Sequence, residues 1–295
     1  MSRRWNESVL VEVSLDTVRA TRRRGWLRPA VAAVAQRATT ARASAAAEAQ
    51  GAASAAVAET LARAVREALA ELGVETRRPA AGVEVRVGAP LVRFDVASGA
   101  FLGASDRALG GIAQACIAEL LGDAAAEHET RWQLQPGGRQ LLLAALPLAL
   151  RRALDEAVAA SGLRIASLQP DFCVQWNRFA GEMKHRQGVF ALRSGEDVQL
   201  AQVSAGAIAM LSVGPWRDAA QAGAAPSPTV RRLISGLGLT GSLPPSLLDL
   251  RADRLLASVG CDAAAEQDFV LVAAPDADLA VGPRWQVRSP LEAAA

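Results

Sequence analysis

One order of elements occurs twice along this chain, and it limits the available folds more than any other feature. Val9 to Val13 and Thr17 to Arg23 read as two strands joined by the tight link Ser14-Leu15-Asp16, a β-hairpin start. Val57, Leu61, Val65, Leu69 and Leu72 follow at helical spacing, stopped by Gly73. Val83, Val85 and Val87 alternate with Glu84 and Arg86 as a half-buried strand, with Leu91 to Val96 as its continuation past Pro90. Ser105-Asp106 caps a helix that turns Leu109, Ile112, Cys116, Ile117 and Leu120 inward. A second hairpin turns at Pro136-Gly137-Gly138. A helix carrying Leu150, Leu154 and Val158, a strand from Leu163 to Leu168 and a helix opened by Pro170 complete the first half.

Polar residues 181–187 mark the boundary. Beyond them Val189–Leu192, Val198–Val203 and Ala207–Val213 form a meander of short strands. A helix through Val230, Leu233, Ile234 and Leu237 and a late strand over Phe269–Ala273 follow. The economical reading is a mixed α/β protein of two lobes on one plan, 1–180 and 181–295. Pro29 ends the opening hairpin, and the alanine-rich stretch of about 30–56 has little to bury. It reads as a helix-competent, exposed insertion.

Composition excludes more than it assigns. The chain has 295 residues, of which 51% are hydrophobic, so a sizeable core needs no disulfides. A formal net charge of +2 leaves no basic footprint for nucleic acid. Lys184 is the single lysine and there is no tyrosine; the excess of Arg and Ala reads as codon bias. Cys116, Cys173 and Cys261 are scattered, none at metal-ligand spacing, and read as small buried residues. His128, within Glu127-His128-Glu129, reads as part of an exposed polar loop, and His185 as a surface residue between Lys184 and Arg186. Asp155-Glu156 and Glu196-Asp197 read as solvated surface. Trp176 and Trp216 are candidates for a contact surface, with Trp176 equally suited to the core, four residues after Phe172 on one helical face.

No glycine-rich phosphate loop and no G-x-S-x-G nucleophile motif is present. The start, M-S-R-R-W-N-E-S, lacks the apolar region of a signal peptide. The longest apolar run, Leu141 to Leu150, contains Pro147 and falls short of the roughly 20 residues a membrane span needs. A chain without direct membrane insertion and without catalysis is the expectation.

Four stretches carry a resemblance: V-L-V-E-V-S-L-D-T-V-R from Val9, V-E-V-R-V-G-A-P-L-V-R-F from Val83, L-L-L-A-A-L-P-L-A-L from Leu141, and S-L-Q-P-D-F-C-V-Q-W-N-R-F from Ser167. Together they resemble the actin-like ATPase superfamily, in particular the PilM type of type IV pilus assembly and the cytoplasmic domain of the GspL type of type II secretion. The resemblance spans roughly Val9 to Ala274 and implies a two-lobed actin-like (ribonuclease H-like) fold. In that family the opening hairpin has a D-x-G pattern: the Asp holds magnesium through water and the Gly lets the backbone approach phosphate. Here Glu12 takes the Asp position, Ser14 the Gly position and Arg19 that of a following Lys; in the second lobe Ala191 and Arg193 take the Asp and Gly positions. The resemblance therefore implies a degenerate nucleotide site, with neither ATP nor a metal expected as cofactor. It also implies a cytoplasmic scaffold held at the inner membrane by a single-span partner of the PilN type, with self-association open. A working ATPase of the same fold, using Glu12 and Asp16 for metal, is the alternative.

Overall fold

The computed structural model describes residues 7–25, 30–42, 55–73, 82–179, 188–194, 197–215, 255–257 and 270–273. The expected boundary at 181–187, the helix through Val230, Trp216, His185 and Cys261 lie outside these residues.

The opening hairpin is β1 (Glu7–Val13) and β2 (Thr17–Arg24), antiparallel, with Glu12 opposite Arg19 and Val13 opposite Val18. Residues 30–38, expected as part of an exposed insertion, instead form β3 (Ala30–Ala38), antiparallel to β2. Alanine favours helix in isolation, but ladder hydrogen bonds to a preformed neighbour override so small a preference. Residues 43–54 of the same stretch lie outside the described residues. α1 (Ala55–Glu71) then buries Val57, Leu61, Val65 and Leu69, the stripe that the spacing predicts, and Gly73 ends it at φ +54°. β4 (Gly82–Val87) runs parallel to β1.

The expected continuation at Leu91–Val96 is a correction. β5 (Arg93–Ser98) leaves the first sheet and joins a three-stranded sheet of order β5-β7-β6, with β6 (His128–Leu134) and β7 (Gln140–Pro147) flanking the Pro136 turn. Between β5 and β6 lies α2 (Asp106–Leu121), whose Ser105 hydroxyl accepts from the Ala108 N–H. By length and composition the stretch Asp106–Glu127 is apolar enough to cross a membrane. The regular helix, however, ends at Gly122 (φ +58°). At 1.5 Å per residue it spans about 24 Å, short of a bilayer core of about 30 Å. Leu109, Ala113 and Ile117 pack inside the protein.

α3 (Leu148–Ala160) packs on α1 through Leu150, Leu154, Ala157 and Val158. β8 (Arg164–Pro170) then runs parallel to β4, and α4 (Asp171–Phe179) follows directly. The first sheet has the order β3-β2-β1-β4-β8. Its Val9, Val11, Val13, Val18, Val83, Val85 and Val87 side chains are all buried. Their register puts them on one face, the apolar layer of the core.

A second five-stranded sheet has the order β11-β10-β9-β13-β12, from β9 (Gly188–Ser194), β10 (Asp197–Ser204), β11 (Ala207–Pro215), β12 (Leu255–Ala257) and β13 (Val270–Ala273). β9, β10 and β11 form the expected antiparallel meander, and β13 lies parallel to β9 as β4 does to β1. The 3-2-1-4 order thus occurs in both sheets. That duplicated ribonuclease H-like order is the topology of an actin-like fold. The fifth position differs, because β12 precedes β13 and runs antiparallel to it.

The chain forms two compact units that are discontinuous in sequence. One comprises Met1–Arg93, Asp123–Glu129 and Ala145–Cys173; the other comprises Phe94–Gly122, Thr130–Ala144 and Val174–Ala295. In the second, Trp176 is buried and meets Phe190 edge-on, centroids 5.5 Å apart, so it belongs to the core rather than to a contact surface. Two polar expectations are corrected. His128 opens β6 and is buried, its Nδ1 donating to the Ala124 carbonyl at 2.8 Å, and Asp197 is buried at the start of β10. In each case strand pairing carries inward a residue that local polarity places outside.

Candidate functional site

Strand register turns alternating residues of the first sheet into a polar row. Gln36 stands opposite Arg19, Arg19 opposite Glu12, Glu12 opposite Arg86, and Arg86 opposite Gln169, so one line of side-chain positions crosses all five strands. The row occupies the face opposite the valine layer, since successive residues of a strand alternate faces. The family resemblance points to Glu12 and Arg19, whereas Arg86 reads in the sequence only as one member of an alternating strand.

Arg86 is 4% exposed, a degree of burial that a guanidinium tolerates only when paired. Its Nε and Nη2 each donate to Glu84 Oε1 at 2.8 Å. Around Glu12 the electrostatics oppose one another. Burial pushes its carboxyl up, and Asp171, at the first position of α4, pushes it further; Arg86, Arg19 and Arg23 pull it down. The net direction is upward from the ordinary value of 4.5.

A carboxyl whose pKa is raised on folding binds its proton more tightly in the native state. Stability is then greatest below the unfolded pKa, falls as pH rises towards the native pKa, and stays low above it. Glu12→Gln removes that dependence. Chemical denaturation from about pH 4 to pH 8 is expected to show wild type losing stability relative to the variant as pH rises, with a plateau above Glu12's native pKa. A parallel pair of curves overturns the assignment.

The turn after Glu12 is closed on itself. Ser14 N–H donates to the Thr17 carbonyl at 2.9 Å, and its hydroxyl donates to the same oxygen at 3.0 Å. The hydroxyl also accepts from the Thr17 N–H at 3.1 Å. Asp16 is held from outside the hairpin: Arg42 Nε and Nη2 reach its two carboxylate oxygens at 2.5 and 2.8 Å. Thr39 N–H donates to the Asp16 carbonyl at 2.8 Å, and the Thr39 hydroxyl to the Leu15 carbonyl. Both oxygens of Asp16 are therefore engaged by a bidentate guanidinium, a strong charge-assisted arrangement. Nothing in the local sequence pointed to Arg42, which lies 26 residues away and meets the turn only because β3 folds back along β2.

The second hairpin has the same pairing register across its turn. Ser194 pairs with Asp197 as Ser14 faces Thr17, and Leu192 stands opposite Gln199 as Glu12 stands opposite Arg19. By backbone register the counterpart of Glu12 is Leu192, and that of Ser14 is Ser194, each one residue beyond the Ala191 and Arg193 of the sequence pattern. Leu192 is fully buried. Gln199 is also buried, and its Oε1 has no hydrogen-bond partner. Among the described residues no group of three or more His, Cys, Asp or Glu side chains is placed to hold a metal ion.

No protein-family model matches this sequence, and no curated protein does. Among solved structures, the chain is similar to a PilM–PilN type IV pilus biogenesis complex, at 18% identity and TM-score 0.48, covering 71% of this chain and 61% of that one. It is also similar to the cytoplasmic domain of EpsL, an inner-membrane component of the type II secretion system of Vibrio cholerae. There the identity is 13%, the TM-score 0.46, and the coverage 82% and 98% of the two chains. A Bacteroides thetaiotaomicron protein with an actin-like ATPase fold and unknown function matches at 7% identity and TM-score 0.44, covering 72% and 71%.

Proposed function

We propose that this chain is a non-catalytic, cytoplasmic scaffold of a type IV pilus or type II secretion-like assembly, tethered at the inner membrane by the cytoplasmic N-terminus of a single-span partner. The observation that carries this reading is the closed first turn. A phosphate-binding hairpin needs backbone N–H groups open to the ligand and a carboxylate with free oxygens for hydrated metal. Here the Ser14 hydroxyl takes up the Thr17 N–H and carbonyl, and Arg42 occupies both oxygens of Asp16. Glu12 remains, half-buried, drawn towards its neutral form, with three arginines about it. The register counterpart in the second hairpin is a leucine. These residues do not fit a metal–triphosphate. The class of partner comes from the resemblance read in the sequence.

Isothermal titration calorimetry with ATP and magnesium is the direct test. No saturable heat is expected up to about 1 mM nucleotide, the limit of weak affinity. A micromolar Kd restores the ATPase reading. For the partner half, immobilised N-terminal peptides of single-span proteins encoded beside this gene are expected to retain the full chain, and failure of all of them counts against the scaffold.

A further inference from the structure

The edge of the first sheet has a property that the polar row does not use. β3 pairs with β2 on one side and, among the described residues, ends the order β3-β2-β1-β4-β8 on the other. Its nine residues, A-V-A-A-V-A-Q-R-A, contain no proline, no lysine and no acid. Val31 and Val34 are 37% and 44% exposed, and Gln36 and Ala38 are exposed as well. Edge strands of monomeric proteins are normally blunted by charge, proline, brevity or a covering segment, because unpaired backbone groups recruit another strand. Among the described residues one such device is present, a bulge where Arg22 and Arg23 face Ala33 and Val31, and it leaves Ala33 to Ala38 regular.

We propose that β3 is a self-association edge, pairing antiparallel with β3 of a second copy of this chain about a two-fold axis. The occupant follows from the strand's own chemistry. A two-fold register centred near Val34 sets Val34 against Val34 and Ala33 against Ala35, with no charge in the paired core. The one cation of β3, Arg37, is engaged by Glu67 and Glu71 of α1, its Nε 4.0 Å from Glu67 Oε2, so no like charges meet. The exposed side chains are alanine, valine and glutamine, too small to form pockets that would read a foreign peptide's sequence. Affinity must come from main-chain pairing, for which the same strand is the matching partner. The strand alone buries less than the roughly 1,600 Å² of a standard stable interface, so the dimer is weak and concentration-dependent.

Sedimentation equilibrium of the full chain from about 1 to about 100 μM covers the range of so small an interface. The average mass is expected to rise reversibly from the monomer's 30.7 kDa towards twice that value. Val34→Lys, which places two ammonium groups face to face, is expected to weaken the dimer at least about tenfold. Leu120→Lys, at an equally exposed apolar position on α2, leaves it unchanged. Ala32→Lys together with Gln36→Lys, at exposed positions that face one another across the axis, provides the same repulsive test should Val34→Lys lose its native circular dichroism. A chain that stays monomeric throughout, or a dimer indifferent to lysine on β3, overturns the proposal.

Discussion

Trp176→Ala is expected to cost about 3–5 kcal/mol of unfolding free energy, the range for removing a fully packed indole. The side chain is 2% exposed, on the inner face of α4, and its ring meets Phe190 of β9 at an interplanar angle of 73°. Truncation removes the burial of the indole and the edge-to-face contact together. It leaves a cavity that β9 cannot close without breaking its pairing with β10 and β13. Guanidinium unfolding followed by far-UV circular dichroism measures the loss. A cost below about 1 kcal/mol, typical of surface sites, shows that α4 and β9 are not packed in this way.

The second large effect is at Leu192. In the first hairpin the corresponding register position carries Glu12, so Leu192→Asp asks whether the second hairpin accepts the acid that a nucleotide-binding relative requires. Leu192→Ala is expected to cost about 2–5 kcal/mol through lost burial and cavity formation. Leu192→Asp is expected to exceed it, because a carboxylate enters a fully buried site and must be protonated or leave unpaired charge in the core. The excess should shrink as pH falls through the raised pKa of the new acid. If the aspartate is tolerated as well as the alanine at pH 7, the position is open to water, and the case for a degenerate site loses its second half.

These predictions draw on different levels of information. The buried stripe of α1, the Ser105 cap, the Pro136 hairpin and the β9-β10-β11 meander were legible because each is encoded by local periodicity or turn chemistry. β3 was not, because nine residues dominated by alanine have no period, and only pairing with β2 decides between strand and helix. His128 and Asp197 were misplaced for a related reason: polarity predicts exposure for an isolated segment, and strand register overrules it.

The candidate site divides in the same way. The amino-acid sequence by itself determined that Glu12, Ser14 and Arg19 share one hairpin, since residues seven apart or fewer across a tight turn have little freedom to separate; their departure from a D-x-G pattern is what the family resemblance implies. It also determined the duplicated plan, through hydrophobic alternation and glycine punctuation. The tertiary structure alone decided that Arg42 engages Asp16, that Arg86 and Asp171 act on Glu12, and that Leu192 is the register counterpart of the first-lobe acid. Those relations join residues far apart in the chain or depend on strand register. A one-residue shift moves a side chain to the other face without changing the local pattern, so only the assembled sheets could specify them.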